Sequence, residues 1–201
     1  MRVLPIFQLR CLSPSLPPMV GYAVTGRIHT ASAPTARYWY HEHMDWWEYL
    51  ATIPAPRVIV FEDMDSKPGF GAMFGEIHAQ IGRALGSIGY VTNGAVRDLP
   101  RIGKTGFHLY AGGIAVSHAY AHVVDFGGPV DIGGLRVSPG DLLHGDLHGV
   151  VSVPAAIAAE IPKVAAELLA QERELIELCQ PGHFSMEKLR SQIERTRHVS
   201  E

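Results

Sequence analysis

The feature that most constrains the fold is a unit of strand, glycine-rich loop and helix near the middle of the chain. Residues 57–63, RVIVFED, form an apolar run typical of a buried strand, and the glycine-rich turn DSKPGFGAMFGE follows. A helix is predicted from about Glu76 to Leu85. Further strands are predicted at 19–30, 89–92 and 106–116, with NGAVRDLP as a turn leading into a short helix. Because strands and helices alternate, we expect an α/β domain.

The pattern changes in the last third of the chain. Beyond Tyr120 the sequence is dense in Gly, Pro and Val with near period-two alternation, which predicts a meander of short strands. Pro154 is expected to open a long amphipathic helix that ends at about Leu178. Its apolar stripe would comprise Ile157, Ile161, Val164, Leu168 and Leu169. A final charged helix over 186–198 has few apolar positions, and we expect it to lie on a neighbouring subunit.

Composition limits the class of protein. The chain has 201 residues, 47% of them apolar, which suits one domain with a substantial core. We expect a proline-rich N-terminal arm over 1–18, a main domain over 19–180 and a helical extension over 181–201. A net charge of −3 without a Lys/Arg cluster argues against nucleic-acid binding.

Cysteine content and hydropathy bear on location. The two cysteines, Cys11 and Cys179, are far apart in sequence, which argues against a disulfide framework and is compatible with a reducing compartment. No stretch approaches the roughly 20 apolar residues that a membrane span needs. We therefore predict a cytoplasmic protein with no membrane partner.

A carboxylate, a guanidinium and a second carboxylate mark a candidate site. Glu76 stands at the mouth of the predicted helix, and twenty residues separate it from the pair Arg97 and Asp98. Backbone N–H groups in the first helical turn, Gly75 to His78, would suit a substrate carboxylate. The planar fork of Arg97 can hold a carboxylate or keto oxygen, and Asp98 offers a hard oxygen ligand for Mg²⁺ or Mn²⁺.

Purely structural roles are also open for these three residues. Carboxylates are expected at helix starts, so Glu76 could cap its own helix and Asp98 the next one. Arg97 would then make a surface ion pair. The residues alone do not decide between these roles and a catalytic site.

Other constellations are more readily explained without function. The pairs His41 with His43 and His118 with His122 have metal-like spacing, but a chain with 11 histidines contains chance pairs, and we favour that explanation. The aromatic pair Trp46–Trp47 could line a substrate pocket. A core or subunit-interface patch is the more common role, and we favour an interface.

Several motifs together resemble one family. GAMFGE, the twenty-residue gap, NGAVRDLP and the later SPGDLLHGDLHGVVSVP are similar to the RraA-like superfamily, which includes the 4-hydroxy-4-methyl-2-oxoglutarate aldolases. The resemblance covers roughly Leu16 to Leu178. It implies a layered swivelling β/β/α-type domain with mixed sheets and a long C-terminal helix, assembled as a homotrimer or homohexamer.

The resemblance also implies an activity. The aldolases of this superfamily carry an acidic residue, twenty residues and then Arg-Asp, whereas the regulators of RNase E lack the full set. By resemblance, the backbone of Gly75, Glu76, Ile77 and His78 binds a pyruvyl carboxylate, Arg97 contacts substrate, and Asp98 holds a divalent metal, Mg²⁺ or Mn²⁺. The implied reaction is metal-dependent release of pyruvate from 4-hydroxy-4-methyl-2-oxoglutarate or a related 2-oxo acid, with decarboxylation of oxaloacetate.

Glu76 would act as the general base, without a Schiff base. The glutamate departs from the aldolases, which more often have aspartate at that position. The alternative is a non-catalytic RraA-like regulator that binds a ribonuclease or another protein partner. Methyl transfer, a name attached to some relatives, is set aside because no glycine-rich nucleotide fingerprint is present.

Overall fold

A computed structural model describes residues 9–34 and 39–197. The chain divides into two compact units, the first ending at Pro154 and the second beginning at Ala155. Among the described residues, the first unit contains ten strands, and the regular structure of the second consists of helices. The predicted domain boundaries after residues 18 and 180 stay predictions. The division into compact units falls between Pro154 and Ala155.

The first unit is built on an eight-stranded mixed sheet with the strand order β1-β5-β4-β3-β2-β9-β10, and β6 also pairs with β2. Strands β2, β3, β4 and β5 run parallel to one another, and the remaining pairings in the sheet are antiparallel. A separate hairpin joins β7 and β8. The strand bounds are β1 Arg10–Cys11, β2 Met19–His29, β3 Arg57–Asp63, β4 Ser87–Val96, β5 His108–Ile114, β6 His122–Phe126, β7 Val130–Ile132, β8 Leu135–Val137, β9 Leu142–Asp146 and β10 Gly149–Val153.

Helices connect and follow these strands. Their bounds are α1 Trp39–Thr52, α2 Glu76–Ala84, α3 Leu99–Ile102, α4 Ile161–Leu178 and α5 Met186–Arg197, with short 3₁₀ turns at Gly103–Thr105 and Ala155–Ile157. The predicted α/β class, with mixed sheets and a long C-terminal helix, is confirmed. In the described part of the chain, every helix is too short or too polar to cross a bilayer.

The central strands are apolar on both faces because both faces are covered. Val58 and Val60 belong to one buried cluster, which the β7–β8 hairpin completes, while Ile59 and Phe61 belong to a second cluster under helix α1. Successive side chains of β3 point to opposite faces of the sheet. Because both faces are buried, consecutive residues of the strand must be apolar. The two buried clusters hold β3 and β4 in place, and the candidate site is built from the ends of these strands.

Trp46 belongs to this core and not to a subunit interface. Its side chain is 1% exposed and its ring centroid lies 4.5 Å from that of Phe61. The predicted interface role is therefore wrong for Trp46. The side chains of His41 and His43, the other residues singled out in this segment, lie outside the described residues.

The N-terminal stretch and β4 differ from the sequence expectation. Leu9 is buried, and β1 pairs with β5, so this part of the predicted arm contributes to the core. Strand β4 continues through the expected turn at Asn93, with an irregular register between Thr92 and Ala95. The amide side chain of Asn93 bonds to the backbone N and O of Asp63 at 2.7 and 3.0 Å. These bonds hold β4 to β3 just beyond the last pair of their ladder, Phe61 with Thr92.

The second unit consists of α4 and α5. Helix α4 begins at Ile161 and not at Pro154, because residues 155–157 form a 3₁₀ turn. Gln192 of α5 donates a hydrogen bond to the carboxylate of Glu174 at 2.8 Å. The predicted apolar stripe of α4 is exposed: Ile161, Val164 and Leu168 are 40 to 49% accessible.

Candidate functional site

The candidate site lies where β3 and β4 lead into helices. The loop after β3 returns to the sheet at Phe74, which forms a parallel bridge with Val96 at the end of β4. The backbone N–H of Arg97 donates to the carbonyl of Phe74 at 3.1 Å. This bridge places the start of α2 directly beside the Arg97–Asp98 pair, although twenty residues separate them in sequence.

The structure brings Glu76, Arg97 and Asp98 together, as predicted. One carboxylate oxygen of Asp98, Oδ2, accepts a hydrogen bond from the backbone N–H of Glu76 at 3.1 Å. The same oxygen lies 3.7 Å from Nε of Arg97. The three functional groups form one cluster at the N-terminus of α2, and their roles in catalysis stay predictions.

The Asp98 carboxylate contacts helix α2, and not the helix that follows it in sequence. Asp98 occupies the N-cap position of α3 but makes no side-chain cap bond to that helix. Its carboxylate reaches instead the N-terminus of α2, where the N-cap Gly75 has no side chain to offer. A negative charge there is stabilised by the N–H groups of the first helical turn and by the helix dipole. The site thus favours an anion at the position predicted for a substrate carboxylate.

The guanidinium of Arg97 is anchored from behind. Its Nη1 donates to the carbonyl oxygens of Ala72 and Met73, and its side chain is 20% exposed. Because a guanidinium is planar and carries five N–H donors, these bonds fix the plane while Nη2 carries further donors. Arg97 is therefore held in place. A purely structural role would instead have made it part of a mobile surface ion pair.

Gly75 leaves the space in which the cluster assembles. A Cβ atom at this position would lie 2.6 Å from Oδ2 of Asp98 and 2.8 Å from Cζ of Arg97. The backbone of Gly75 is extended, with φ −143° and ψ −167°, a conformation open to any residue. The requirement for glycine here is therefore one of space beside the two functional side chains.

The backbone of Asp98 adopts a left-handed conformation, with φ 61° and ψ 28°. Outside glycine this region is uncommon and is best tolerated by Asp and Asn. The carbonyl of Asp98 accepts from the N–H groups of Arg101 and Ile102 at 2.9 and 3.1 Å, which begins α3. The turn therefore directs the carboxylate back towards α2 at some cost in backbone energy.

The remaining predicted binding residues form the first turn of α2. Ile77 is 69% exposed, and the ring of His78 lies with its centroid 6.0 Å from that of Trp47 and 5.9 Å from that of Phe74. Only the backbone of these residues was predicted to meet substrate. They do lie on the first turn, and their role in substrate binding stays a prediction.

Sequence reasoning missed Arg101. Its Nη1 donates to Oε2 of Glu76 at 3.0 Å, and this hydrogen bond, followed by the charges of Glu76 and Asp98, raises the pKa of Arg101 above its usual value. The side chain of Arg101 is 72% exposed. The available signal was its place three residues after Asp98, on the short helix that Pro100 introduces. A second cation thus borders the site.

The donor set at the cluster suits a hard divalent cation. The side chains of Glu76 and Asp98 are 35% and 38% exposed, so both carboxylates can reach solvent. Within residues 9–34 and 39–197, no three or more His, Cys, Asp or Glu side chains form a group that could hold a metal. Mg²⁺ does not need such a group, because it keeps several waters and is bound through one or two carboxylates together with substrate.

Comparison with known proteins identifies the family. A family model described as Aldolase/RraA, of the RraA-like family, matches residues 6–152, which is most of the chain. The chain belongs to the RraA-like family. The resemblance predicted from GAMFGE and NGAVRDLP is thereby confirmed, and the family joins aldolases with RraA proteins.

One curated relative of this RraA-like chain carries an enzyme name. It is the "Putative 4-hydroxy-4-methyl-2-oxoglutarate aldolase" of Halalkalibacterium halodurans, 29% identical over 84 residues. The match spans 41% of this chain and 40% of that relative's length. The likeness is therefore partial, and the relative's activity comes to this chain only as a proposal.

Solved structures share the fold. An uncharacterized protein from Pseudomonas syringae pv. tomato is 25% identical with a TM-score of 0.71, covering 94% of this chain and 82% of that one. RraAS2 of Streptomyces coelicolor, described as an unusual member of the RNase ES inhibitor RraA protein family, is 22% identical with a TM-score of 0.66. That likeness covers 86% of this chain and 84% of the Streptomyces chain. At these identities the solved structures support the fold alone.

Proposed function

We propose that this protein is a divalent-metal-dependent carbon–carbon lyase. Its substrate would be 4-hydroxy-4-methyl-2-oxoglutarate or a related 2-oxo acid, from which it would release pyruvate, and it would also decarboxylate oxaloacetate. The observation that carries the proposal is the cluster at the start of α2, where the Asp98 carboxylate meets both the Glu76 N–H at 3.1 Å and the Arg97 guanidinium at 3.7 Å.

Substrate binding is assigned to the N-terminus of α2. The N–H groups of the first turn and the helix dipole would hold the pyruvyl carboxylate. In the absence of substrate, Asp98 provides the negative charge at this helix end. A substrate carboxylate would therefore take over part of the role that Asp98 plays in the structure.

Arg97 is assigned to the 2-keto oxygen. Cleavage next to a pyruvyl unit places negative charge on that oxygen, and donors fixed in advance stabilise such charge best. The bonds from Nη1 to the carbonyl oxygens of Ala72 and Met73 hold the guanidinium in place before substrate arrives. Little reorganisation is then needed during the reaction.

Glu76 is assigned to the proton. As a general base it would accept the proton of the distal hydroxyl, directly or through a water, while the carbon–carbon bond breaks and its electrons pass to the pyruvyl fragment. Its carboxylate is held by Arg101 at 3.0 Å. Protonation of the fragment at carbon would then complete the release of pyruvate.

Asp98 is assigned to the metal. A divalent ion held by Asp98, with water and substrate as further ligands, would supply Lewis-acid stabilisation of the developing charge. The carboxylate is 38% exposed, which leaves it accessible for that purpose. Asp98 contacts α2 through Oδ2, so the ion would be held through Oδ1 or would share Oδ2 with that contact.

The test is a coupled assay for pyruvate, with both acids as substrates and with Mg²⁺, Mn²⁺ or EDTA in parallel. We expect release that EDTA abolishes, and loss of that release in Arg97→Ala and in Asp98→Ala. Glu76→Gln should lose cleavage of 4-hydroxy-4-methyl-2-oxoglutarate, whose distal hydroxyl proton needs the base, while still binding pyruvate. Arg83→Ala, at the opposite end of α2, is the matched control and should retain activity. Metal-dependent turnover retained in either Arg97→Ala or Asp98→Ala would refute the assignment.

The second candidate is a non-catalytic regulator that binds a protein partner. The half-exposed apolar residues of α4, among them Val164 and Leu168, favour a protein contact on the second unit. The same surface supports the proposal of a homotrimer or homohexamer. Failure of both acids to release pyruvate, in a folded protein that loses a partner contact when Leu168→Glu is introduced, would favour the regulator.

A further inference from the structure

Two histidines face each other across the paired strands β2 and β6, and neither is among the residues assigned to catalysis. Strands β2 and β6 are antiparallel, and their register sets His29 directly opposite His122. Directly opposed residues in such a pair lie on the same face with their Cβ atoms about 5 Å apart. The two imidazole centroids are 6.2 Å apart with the ring planes at 45°.

The hydrogen bond of His122 determines which nitrogen carries its proton. Its Nδ1 lies 2.7 Å from the carbonyl oxygen of Tyr120. A carbonyl can only accept, so Nδ1 must donate. In the neutral ring, Nε2 is then unprotonated and has a lone pair available for a ligand.

The same reasoning applies to His29. Its Nδ1 lies 2.9 Å from Oδ1 of Asp65, whose side chain is 8% exposed. Burial raises the pKa of Asp65, but the hydrogen bonds from Thr30, His29 and Ala31 outweigh burial and lower the pKa to about 2. Oδ2 of the same carboxylate accepts from the backbone N–H groups of Thr30 and Ala31, so Asp65 acts as an acceptor and Nδ1 of His29 donates the bond to it. In the neutral ring, Nε2 then carries no proton.

Asp65 is itself held rigidly. Its second oxygen, Oδ2, accepts from the backbone N–H of Thr30, the hydroxyl of Thr30 and the N–H of Ala31, each at 2.8 Å. A carboxylate that orients a histidine through Nδ1 is the usual support of a metal-bound imidazole, and it raises the basicity of the ligating nitrogen. A backbone carbonyl, as at His122, is the other common support.

We propose that His29 and His122 form a two-histidine site for a divalent transition-metal ion of the Zn²⁺ type, with solvent or a small ligand in the remaining positions. Imidazole suits Zn²⁺, Ni²⁺ and Cu²⁺ but not Mg²⁺. With metal–nitrogen distances of about 2.0–2.1 Å, a tetrahedral ion needs the ring centroids about 1 Å closer than they stand, which small side-chain rotations provide.

This site differs from the pair suggested by spacing. His118 and His122 are four residues apart, but His122 lies in strand β6, and its cross-strand partner is His29. The two-histidine site shares no residue with the Glu76, Arg97 and Asp98 cluster. Its ligands are therefore distinct from those assigned to the proposed lyase activity, and imidazole selects a softer class of metal.

The test uses Zn²⁺ alone as the probe, with the full chain at pH 7.5 and excess Mg²⁺ present. Long-range ¹H–¹⁵N spectra of the histidine side chains should show Nδ1 protonated and Nε2 unprotonated in both rings before Zn²⁺ is added. Addition of one equivalent should shift the Nε2 signals of His29 and His122 together. A protonated Nε2 in the metal-free protein, or shifts confined to other histidines, would overturn the proposal.

Calorimetry with variants provides the second measurement. His29→Gln and His122→Gln should each weaken Zn²⁺ binding by about tenfold or more, since loss of even a supporting residue of a metal site has that effect. The matched control is His148→Gln, because His148 is 85% exposed and its Nδ1 also approaches a carboxylate, Asp146, at 3.4 Å. Equal affinity in the controls and in both site variants would refute the site. Asp98→Ala should bind Zn²⁺ here as the unchanged protein does, whatever its effect on pyruvate release.

Discussion

Replacing Gly75 by alanine should separate activity from folding. The added Cβ would lie 2.6 Å from Oδ2 of Asp98 and 2.8 Å from Cζ of Arg97, whereas ordinary contact begins at 3.4 Å. The carboxylate must therefore recede by 0.8 Å (3.4 − 2.6) and the guanidinium by 0.6 Å (3.4 − 2.8). Both are side-chain ends, so they can move without a change in the backbone, although the guanidinium of Arg97 does so against its bonds to Ala72 and Met73.

The two expected effects of this substitution differ greatly in size. A displacement near 1 Å at a reacting centre can lower the rate about 10²-fold, which corresponds to about 2.7 kcal/mol. Loss of the Asp98 bond to α2 costs about 1 kcal/mol, as for a helix cap, and Gly→Ala in an extended backbone returns about 0.4–1 kcal/mol through the unfolded chain. The free energy of unfolding should therefore change by less than about 1 kcal/mol.

The measurement pairs kcat/KM for pyruvate release with urea unfolding. Gly103→Ala is the matched control, because a Cβ at Gly103 meets nothing within 4 Å and its backbone is helical, with φ −56° and ψ −27°. It should retain activity and stability. Full activity in Gly75→Ala would refute the assignment of Arg97 and Asp98 to the reaction. A large loss of stability in Gly75→Ala would refute the inference that the added Cβ displaces only the side-chain ends of Asp98 and Arg97.

Two further predictions concern charges near the two sites. The pKa of Asp65 is lowered from 3.8 to about 2, so its ionised form contributes about 2 kcal/mol of stability above pH 5, lost as the pH falls towards 2. Asp65→Asn should lower the free energy of unfolding at pH 7 by that amount and flatten its acid dependence; an equally steep dependence in the variant would instead implicate other carboxyls. Arg101→Gln should lower kcat for pyruvate release without changing the melting temperature, since its exposed side chain orients Glu76 at 3.0 Å. Lys104→Gln makes the same charge change three residues away, and an equal loss of activity there would show a general charge effect.

Much of the fold follows from local patterns. Strand β3 has the predicted bounds because an uninterrupted apolar run suits a strand covered on both faces. The turn predicted at Asn93 is wrong because its side chain bonds to the backbone of Asp63, a tertiary contact that a local pattern does not contain. The start of α4 was misplaced because Pro162, and not Pro154, stands in its first turn.

The candidate site was predictable only in part. The Glu76 and Arg97–Asp98 motifs indicated which residues would meet, since loops that follow adjacent parallel strands lie at one edge of a sheet. The capping of α2 by Asp98 depends on the left-handed turn at Asp98 and on the bridge between Phe74 and Val96. These are details of register and backbone that spacing alone does not specify. Arg101 was missed for the same reason.

The left-handed turn at Asp98 bears on how this family could change its role over time. That conformation is tolerated by Asp, Asn and Gly, and Asn or Gly in place of Asp would remove the negative charge while satisfying the backbone. Either replacement requires a single nucleotide change. The fold could thus pass from the proposed lyase to a silent binding protein in one step, without an intermediate that fails to fold. A family that joins aldolases with RraA proteins is what such a short evolutionary route would produce.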